Sequence, residues 1–203
     1  MTLLAPNLPN SFQPSPDSLR RFTVEEYHRM IDAGVFSDDE PVELLEGWIV
    51  RKMGNNPPHD VATKLVSQLL EKLLPPGWHS RVQSAIATGA SEPLPDVAIV
   101  KGDIRAYAQR HPGPGDIGLL VEVADSSINR DRKEKLPTYA NCAFPTYWIV
   151  NIQARAIEVY TEPTGKNETA RYQTIARYGV NDVVPVILDG VQLGTIRVTD
   201  VLP

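Results

Sequence analysis

The chain has 203 residues, of which 42% are hydrophobic and 22% are charged, a composition typical of one globular domain that can fold alone. Its formal net charge of -5 at pH 7 excludes a protein that coats nucleic acid through overall positive charge, but not an enzyme with a locally basic cleft or a bound metal. The single cysteine, Cys142, excludes an internal disulfide. No apolar run approaches the about 18 residues that span a bilayer, and no signal-peptide pattern opens the chain, so we expect a soluble, cytoplasmic protein with no membrane partner.

The beginning of the chain differs in composition from the rest. Residues 1–18 contain four prolines and no apolar period, which predicts a flexible N-terminal arm followed by a single domain over residues 19–203. Thr23–Glu26 matches a capping box, in which a threonine and a glutamate satisfy the first backbone N–H groups of a helix. A helix is therefore predicted from Val24, with Gly34 as its stop.

Two further elements follow in the first half of the chain. Residues 42–52 predict a β-hairpin with its turn at Glu46–Gly47. Residues 59–74 carry apolar side chains at spacings of three and four, which predicts the longest helix, ended by Pro75–Gly77.

The second half is rich in short β-type runs. Strands are predicted at residues 81–88, 95–101, 118–124, 146–152, 157–161, 172–178 and 183–188. Residues 111–115 predict a surface loop, and Asn129–Asn141 predicts a helix with a break or kink at Pro137. This order of elements predicts an α/β sandwich around a mixed sheet.

Glu122 is the residue that conflicts most with its surroundings, because it stands at the centre of the apolar run Gly118–Ala124. A buried, unpaired carboxylate loses several kcal/mol of solvation, so such a position normally has a cation, a metal or a raised pKa. The alternative is an edge strand with Glu122 facing water.

Asp96 repeats this pattern at the mouth of the apolar run Val97–Val100. The two acids lie 26 positions apart (122 minus 96), which is compatible with neighbouring strands joined by a long loop. Two adjacent carboxylates share a proton or bind a cation. For hard oxygen ligands that cation is most often Mg²⁺ or Mn²⁺.

Asp131, Lys135 and Tyr139 follow at successive spacings of four, so in a helix they share one face. One interpretation is an exposed ion pair worth a few tenths of a kcal/mol. The other has Lys135 folding over Asp96 and Glu122, where its ammonium holds a water and offsets phosphate charge.

In their order and spacing, several motifs resemble the Uma-two family of endonucleases, which belongs to the restriction-endonuclease-like PD-(D/E)XK superfamily. These motifs are Glu43–Gly47, His59 at a helix start, Pro95–Ala98, Leu120–Val123, Asp131 with Lys135 and Tyr139, and Tyr147–Val150. The resemblance runs from Phe22 to Leu202. It implies a restriction-endonuclease-like core of the α/β (α+β) class, a mixed β-sheet flanked by helices with additional β-hairpins.

The resemblance also implies roles for particular residues. Asp96 and Glu122 would be the metal-binding acids, with the Val123 carbonyl as a further ligand. Lys135 would take the place of the motif lysine, because Ala124 stands where the simple superfamily pattern has lysine.

Three more residues receive roles by the same resemblance. Glu43 would complete the site, with Glu46 in the predicted turn as the alternative that the hairpin register decides. His59 would orient a phosphate or a water, although a histidine at a helix start is more often a capping or surface residue. Asp131 would act as a partner of Lys135.

The resulting hypothesis is a Mg²⁺- or Mn²⁺-dependent endonuclease that hydrolyses nucleic-acid phosphodiester bonds. DNA is the expected partner, although the residues do not separate DNA from RNA, and a homodimer is plausible because cutting both strands of a duplex needs two sites. One alternative is a catalytically inactive nuclease fold that serves as a binding or regulatory scaffold. Another is a phosphoesterase for small molecules.

Overall fold

The computed structural model describes residues 15, 18–37, 40–52 and 56–203. The strands are β1 (Val42–Leu45), β2 (Trp48–Arg51), β3 (Trp78–Val82), β4 (Val97–Lys101), β5 (Ile117–Ala124), β6 (Thr146–Asn151), β7 (Ala156–Thr164), β8 (Arg171–Tyr178), β9 (Val183–Leu188) and β10 (Val191–Arg197). The α-helices are α1 (Val24–Asp32), α2 (Pro57–Glu71), α3 (Ile128–Arg130) and α4 (Leu136–Asn141), and short 3₁₀ helices occur at Ile104–Tyr107, Pro114–Asp116, Asn167–Thr169 and Val198–Val201. None of the helices in these ranges has the length and apolar character needed to cross a membrane.

A six-stranded mixed sheet forms the centre of the fold, in the order β3-β4-β5-β6-β7-β8. Strands β5 and β6 pair in parallel, and the other neighbours are antiparallel. Two separate hairpins, β1-β2 and β9-β10, complete the β structure of the described residues. The predicted mixed sheet, flanked by helices and accompanied by hairpins, is confirmed.

Strand β5 is a central strand, and all eight of its residues are buried. Val121 and Val123 face the apolar cluster that includes α2, whereas Leu120 and Ala124 face the cluster that includes α4. Because successive side chains alternate across a strand, Glu122 projects to the α4 face. It is 2% exposed, so the edge-strand alternative is wrong.

Local chemistry explains where α1 and α2 begin. The predicted capping box of α1 is present, with the Glu26 backbone N–H donating to Thr23 Oγ1 at 3.2 Å. Helix α2 begins at Pro57, two residues before the predicted start, because Asn56 caps it and a proline in the first turn needs no hydrogen-bonded N–H. It ends at Glu71 rather than at Leu74.

The chain between α3 and α4 is a π-helical turn, Asp131–Lys135, in which the Leu136 N–H donates to the Asp131 carbonyl five residues earlier. Pro137 explains it, because proline lacks an N–H and clashes with the carbonyl four residues earlier in a regular α-helix. The predicted break at Pro137 is thereby confirmed. The wider turn buries both Asp131 and Lys135.

The predicted strands differ from the structure at two places. The strand predicted at residues 81–88 is β3, which starts at Trp78 and stops at Val82, because Gln83 adopts a φ of 46° that ends the extended chain. Strand β10 was not predicted, because polar residues and Gly194 interrupt the alternation of apolar side chains in its sequence. Its pairing with β9 shifts register at the same place. Most of the predicted arm, residues 1–18, lies outside the described residues.

Candidate active site

A small cavity of about 40 Å³ lies where the β1-β2 hairpin, the start of α2 and the π-helical turn meet the central sheet. The cavity is lined by the residues to which the sequence assigned a role in the site: Glu43, His59, Asp96, Glu122, Val123, Asp131 and Lys135.

The two acids are neighbours across strands β4 and β5. Val97 pairs with Val121 in the antiparallel register, so Asp96, one residue before, stands beside Glu122. Each is 2% exposed. The Val123 N–H donates to Asp96 Oδ2 at 2.9 Å. In a β-strand, the N–H and the carbonyl of one residue point toward the same neighbouring strand. The Val123 carbonyl therefore points to the same side as its N–H, toward the chain that precedes β4.

Two basic side chains, Lys52 and His59, contact the carboxylate of Asp96. Lys52 Nζ lies 3.3 Å from Oδ1, and His59 Nε2 lies 3.0 Å from Oδ2. Burial alone would raise the pKa of Asp96, but the His59 hydrogen bond and the Lys52 charge outweigh burial and hold that pKa well below its usual range. Asp96 is therefore ionised at neutral pH.

From the sequence, Lys52 is one of several cations that could line a groove, with a solvated surface position favoured, and no role in the site was assigned to it. Its side chain is 15% exposed, and its ammonium also donates to the Leu94 carbonyl at 3.1 Å. Lys52 directly follows β2, the strand that pairs with the strand carrying Glu43. That position on the hairpin is the signal that could have identified it.

Glu122 has a different environment from Asp96. Its Oε1 accepts hydrogen bonds from Lys135 Nζ at 2.8 Å and from the Tyr139 hydroxyl at 2.7 Å. Within the described ranges, no group donates to Oε2 at hydrogen-bond distance. Burial raises the pKa of Glu122 to about 8, and Lys135 opposes this rise. Neighbouring carboxyls with such different pKa values are typical of sites for acid–base or metal chemistry.

Lys135 lies among acidic groups. Besides Glu122, its ammonium is 3.6 Å from Glu43 Oε2. Burial lowers the pKa of Lys135, but the surrounding carboxylates, Glu122 first and then Glu43, raise it above its ordinary value. Lys135 is therefore an ammonium at neutral pH and serves as a charge rather than as a base.

Glu43, and not Glu46, is the acid of the hairpin that reaches the cavity. It is completely buried, accepts from Arg130 Nη2 at 2.7 Å through Oε1, and accepts from the Leu94 N–H at 3.0 Å through Oε2. Glu46 lies in the turn with a φ of 48°, and its backbone N–H donates to Ser91 Oγ at 2.8 Å.

Among the described residues, Asp131 and Lys135 do not form a direct ion pair, although the charge of each shifts the pKa of the other. Asp131 Oδ2 accepts from Ser127 Oγ at 2.7 Å, whereas the ion pairs of Lys135 within 4.0 Å are with Glu122 and Glu43. The π-helical turn changes the side-chain directions that a regular helix with a spacing of four would give.

His59 is the third residue of α2 and has two contacts that matter here. Its backbone N–H donates to Asn56 Oδ1 at 3.1 Å, which belongs to the helix cap, while its ring faces Asp96. Burial lowers the pKa of His59, but the hydrogen bond and charge of Asp96 outweigh burial and raise that pKa above 6.5.

The cavity has more acidic than permanently cationic side chains. Its carboxyl groups belong to Glu43, Asp96, Glu122, Asp125 and Asp131, and its permanent cations to Lys52, Arg130 and Lys135. This excess of oxygen ligands, together with the free Oε2 of Glu122 among the described residues, fits a hard dication such as Mg²⁺ or Mn²⁺.

Comparisons with known proteins identify the fold and the family. The chain is similar in structure to a protein from Anabaena variabilis ATCC 29413 described as a putative nuclease belonging to DUF820, with a TM-score of 0.64 and 13% sequence identity over 89% of this chain and 97% of that chain. At this identity the likeness shows a shared fold. The comparison with curated proteins gave no match. A family model named Uma2, with the description "Putative restriction endonuclease", matches residues 24–194, and the chain therefore belongs to the Uma2 family.

Proposed function

We propose that this protein is a metal-dependent endonuclease that hydrolyses phosphodiester bonds of nucleic acid, with DNA as the expected substrate. The observation that carries the proposal is the meeting of Asp96, Glu122 and Lys135 in one buried cavity. Membership of a family described as "Putative restriction endonuclease" supports it independently.

The donor set supports a hard dication. Asp96 and Glu122 would hold Mg²⁺ or Mn²⁺, with the Val123 carbonyl as a further ligand. When bound, the ion supplies Lewis acidity that polarises a phosphate oxygen and lowers the pKa of a coordinated water.

The protein's own side chains prepare the site for a phosphate. Lys52 and His59 keep Asp96 ionised and fix its two oxygens. Lys135 fixes Glu122 at 2.8 Å and, as an ammonium, offsets negative charge that develops on the phosphate. Glu43 also contacts the Lys135 ammonium, at 3.6 Å.

The size of the cavity favours a polymer over an enclosed small molecule. Pockets that enclose drug-sized ligands measure about 300–1,000 Å³, whereas this cavity measures about 40 Å³ among the described residues. It has room for an ion and a few waters, and a scissile phosphate would approach it from the mouth. This supports an endonuclease over a small-molecule phosphoesterase.

Cleavage assays test the proposal. Purified protein should cut at least one of single-stranded DNA, duplex DNA, branched DNA or RNA with Mg²⁺ or Mn²⁺, and not with EDTA. Asp96→Asn and Glu122→Gln should each lower the rate at least about 100-fold, because losing a metal ligand costs at least as much as losing an outer-shell partner. Glu46→Gln, outside the cavity, is the matched control and should retain wild-type activity.

Two results would refute the proposal: no cleavage of any of these substrates, or full activity of Asp96→Asn. Calorimetric titration with Mn²⁺ separates the proposal from the scaffold alternative, because an endonuclease needs metal binding that depends on Asp96 and Glu122. Sedimentation of the protein with and without duplex DNA tests the homodimer that cutting both strands would use.

A further inference from the structure

A second cluster of ligating side chains lies outside the residues that line the candidate active site. His28 projects from α1, Glu92 lies between β3 and β4, and His111 lies between β4 and β5. Three segments distant in sequence therefore contribute one side chain each. Such convergence is typical of a site built by the tertiary structure rather than by local sequence.

The geometry of the cluster suits one small ion. His28 Nε2 lies 2.7 Å from Glu92 Oε2, and His111 Nε2 lies 3.8 Å from Glu92 Oε1. One ligand atom from each residue can be chosen so that all three lie within 4.8 Å of one another. Tetrahedral zinc, with ligands at 2.0–2.1 Å, separates its ligand atoms by about 3.3 Å. The two separations between histidine nitrogen and glutamate oxygen, 2.7 Å and 3.8 Å, lie on either side of this value.

Glu92 gives the cluster a reason to bind a cation. Its side chain is 7% exposed, and within the described ranges its ion-pair partners are His28 and His111. Glu92 Oε2 lies at hydrogen-bond distance from His28 Nε2, but no Lys or Arg side chain within the described ranges forms an ion pair with Glu92. Because neither imidazole is a permanent cation, the buried carboxylate has no permanent counter-charge there. A dication between the three side chains supplies that charge and uses the lone pairs of both rings.

We propose that His28, Glu92 and His111 form a zinc-binding site, separate from the magnesium or manganese site of the proposed endonuclease. Two imidazole nitrogens and one carboxylate oxygen favour Zn²⁺ over Mg²⁺ or Ca²⁺, which prefer oxygen ligands alone. A solvent-open cavity of about 790 Å³ borders all three side chains. Water from that cavity fills the fourth coordination position.

The zinc site has a structural consequence. The Glu92 N–H donates to the Leu44 carbonyl at 2.7 Å, and the chain runs from Glu92 through two prolines to Asp96. Zinc therefore ties α1 and the loop of His111 to the segment that ends at Asp96. This structural role of zinc does not depend on whether the protein cleaves nucleic acid.

Metal titration of the untagged, chelator-treated full chain tests the site. Zn²⁺ binding is measured by calorimetry and Co²⁺ binding by visible absorption, both with excess Mg²⁺ to occupy the oxygen-ligand site. His28→Ala and His111→Ala should each weaken Zn²⁺ binding at least about tenfold, the lower end of the cost of an outer-shell change. Zinc should raise the melting temperature of the wild type and not of these variants.

His59→Ala is the matched control, since it removes the histidine of the other cavity and should leave zinc affinity unchanged. The His28 and His111 side chains are 47% and 39% exposed, so their truncation leaves the core intact, which circular dichroism verifies. The proposal is overturned by a wild type that binds no zinc, by wild-type affinity in both His28→Ala and His111→Ala, or by zinc binding that only His59→Ala removes.

Discussion

Replacing Lys135 by methionine removes the buried ammonium of the candidate active site while keeping a side chain of similar length. Glu43 then keeps Arg130 at 2.7 Å, whereas the donor that remains to Glu122 among the described residues is the Tyr139 hydroxyl at 2.7 Å. The charge left without a cation is therefore that of Glu122. Because burial raises the pKa of Glu122 to about 8 in the wild type, the loss of stability is expected to be larger at pH 9, where the wild-type carboxyl is ionised, than at pH 6.

The size of the effect follows from the geometry. At an effective dielectric constant of about 20, two charges 2.8 Å apart attract by about 6 kcal/mol. The substitution also removes the desolvation cost of the ammonium, several kcal/mol, so the net loss is smaller. Removing one partner of a buried pair costs about 3–5 kcal/mol. In a protein of this size that corresponds to a fall of about 6–20 °C in melting temperature.

The loss should grow as the pH rises. Lys135 lowers the pKa of Glu122, so the variant has a higher Glu122 pKa than the wild type. At a pH between the Glu122 pKa of the wild type and that of the variant, the folded variant holds a proton that the folded wild type has released. The variant then loses stability relative to the wild type with rising pH, and the difference at pH 6 is smaller than that at pH 9.

Urea denaturation with EDTA at both pH values measures this difference. Lys133→Met is the matched control, because Lys133 lies on the same helical turn and is exposed, so its substitution should change stability by less than about 0.5 kcal/mol. Equal stability of the two variants at pH 9, or a larger loss at pH 6, would refute the reasoning.

Three further outcomes are expected. Asp96→Asn should move the His59 pKa from above 6.5 to below it, because burial then acts without the Asp96 charge. In the wild type, the stability that His59 contributes is fully present below pH 6.5 and is lost as the pH rises through the pKa of His59 in the folded protein. NMR titration of the ring protons checks this, and an unchanged titration contradicts it. Tyr139→Phe should cost about 1–2 kcal/mol in urea denaturation by removing a buried hydrogen bond to Glu122; wild-type stability would contradict this. Thr23→Ala should cost about 1 kcal/mol by removing the cap of α1, with Thr23→Ser as the control that retains it.

The acids of the site could be predicted because their signal is local. A carboxylate within an apolar β-run, as at Glu122, conflicts with its neighbours in the sequence itself, and Asp96 repeats the conflict. The capping box at Thr23 and the proline break at Pro137 also depend on residues a few positions apart, and both are present. Resemblance to a family then connected these local signals into one fold.

The sequence by itself determined the main elements and the residues with unusual burial, because hydrophobic period, caps and breaks act over short distances. Only the tertiary structure decided which side chains share a cavity. The choice of Glu43 over Glu46, the place of Lys52 beside Asp96 and the meeting of His28 with Glu92 all depend on contacts between segments distant in the chain. Such contacts follow from strand register and packing, which no short stretch of sequence contains.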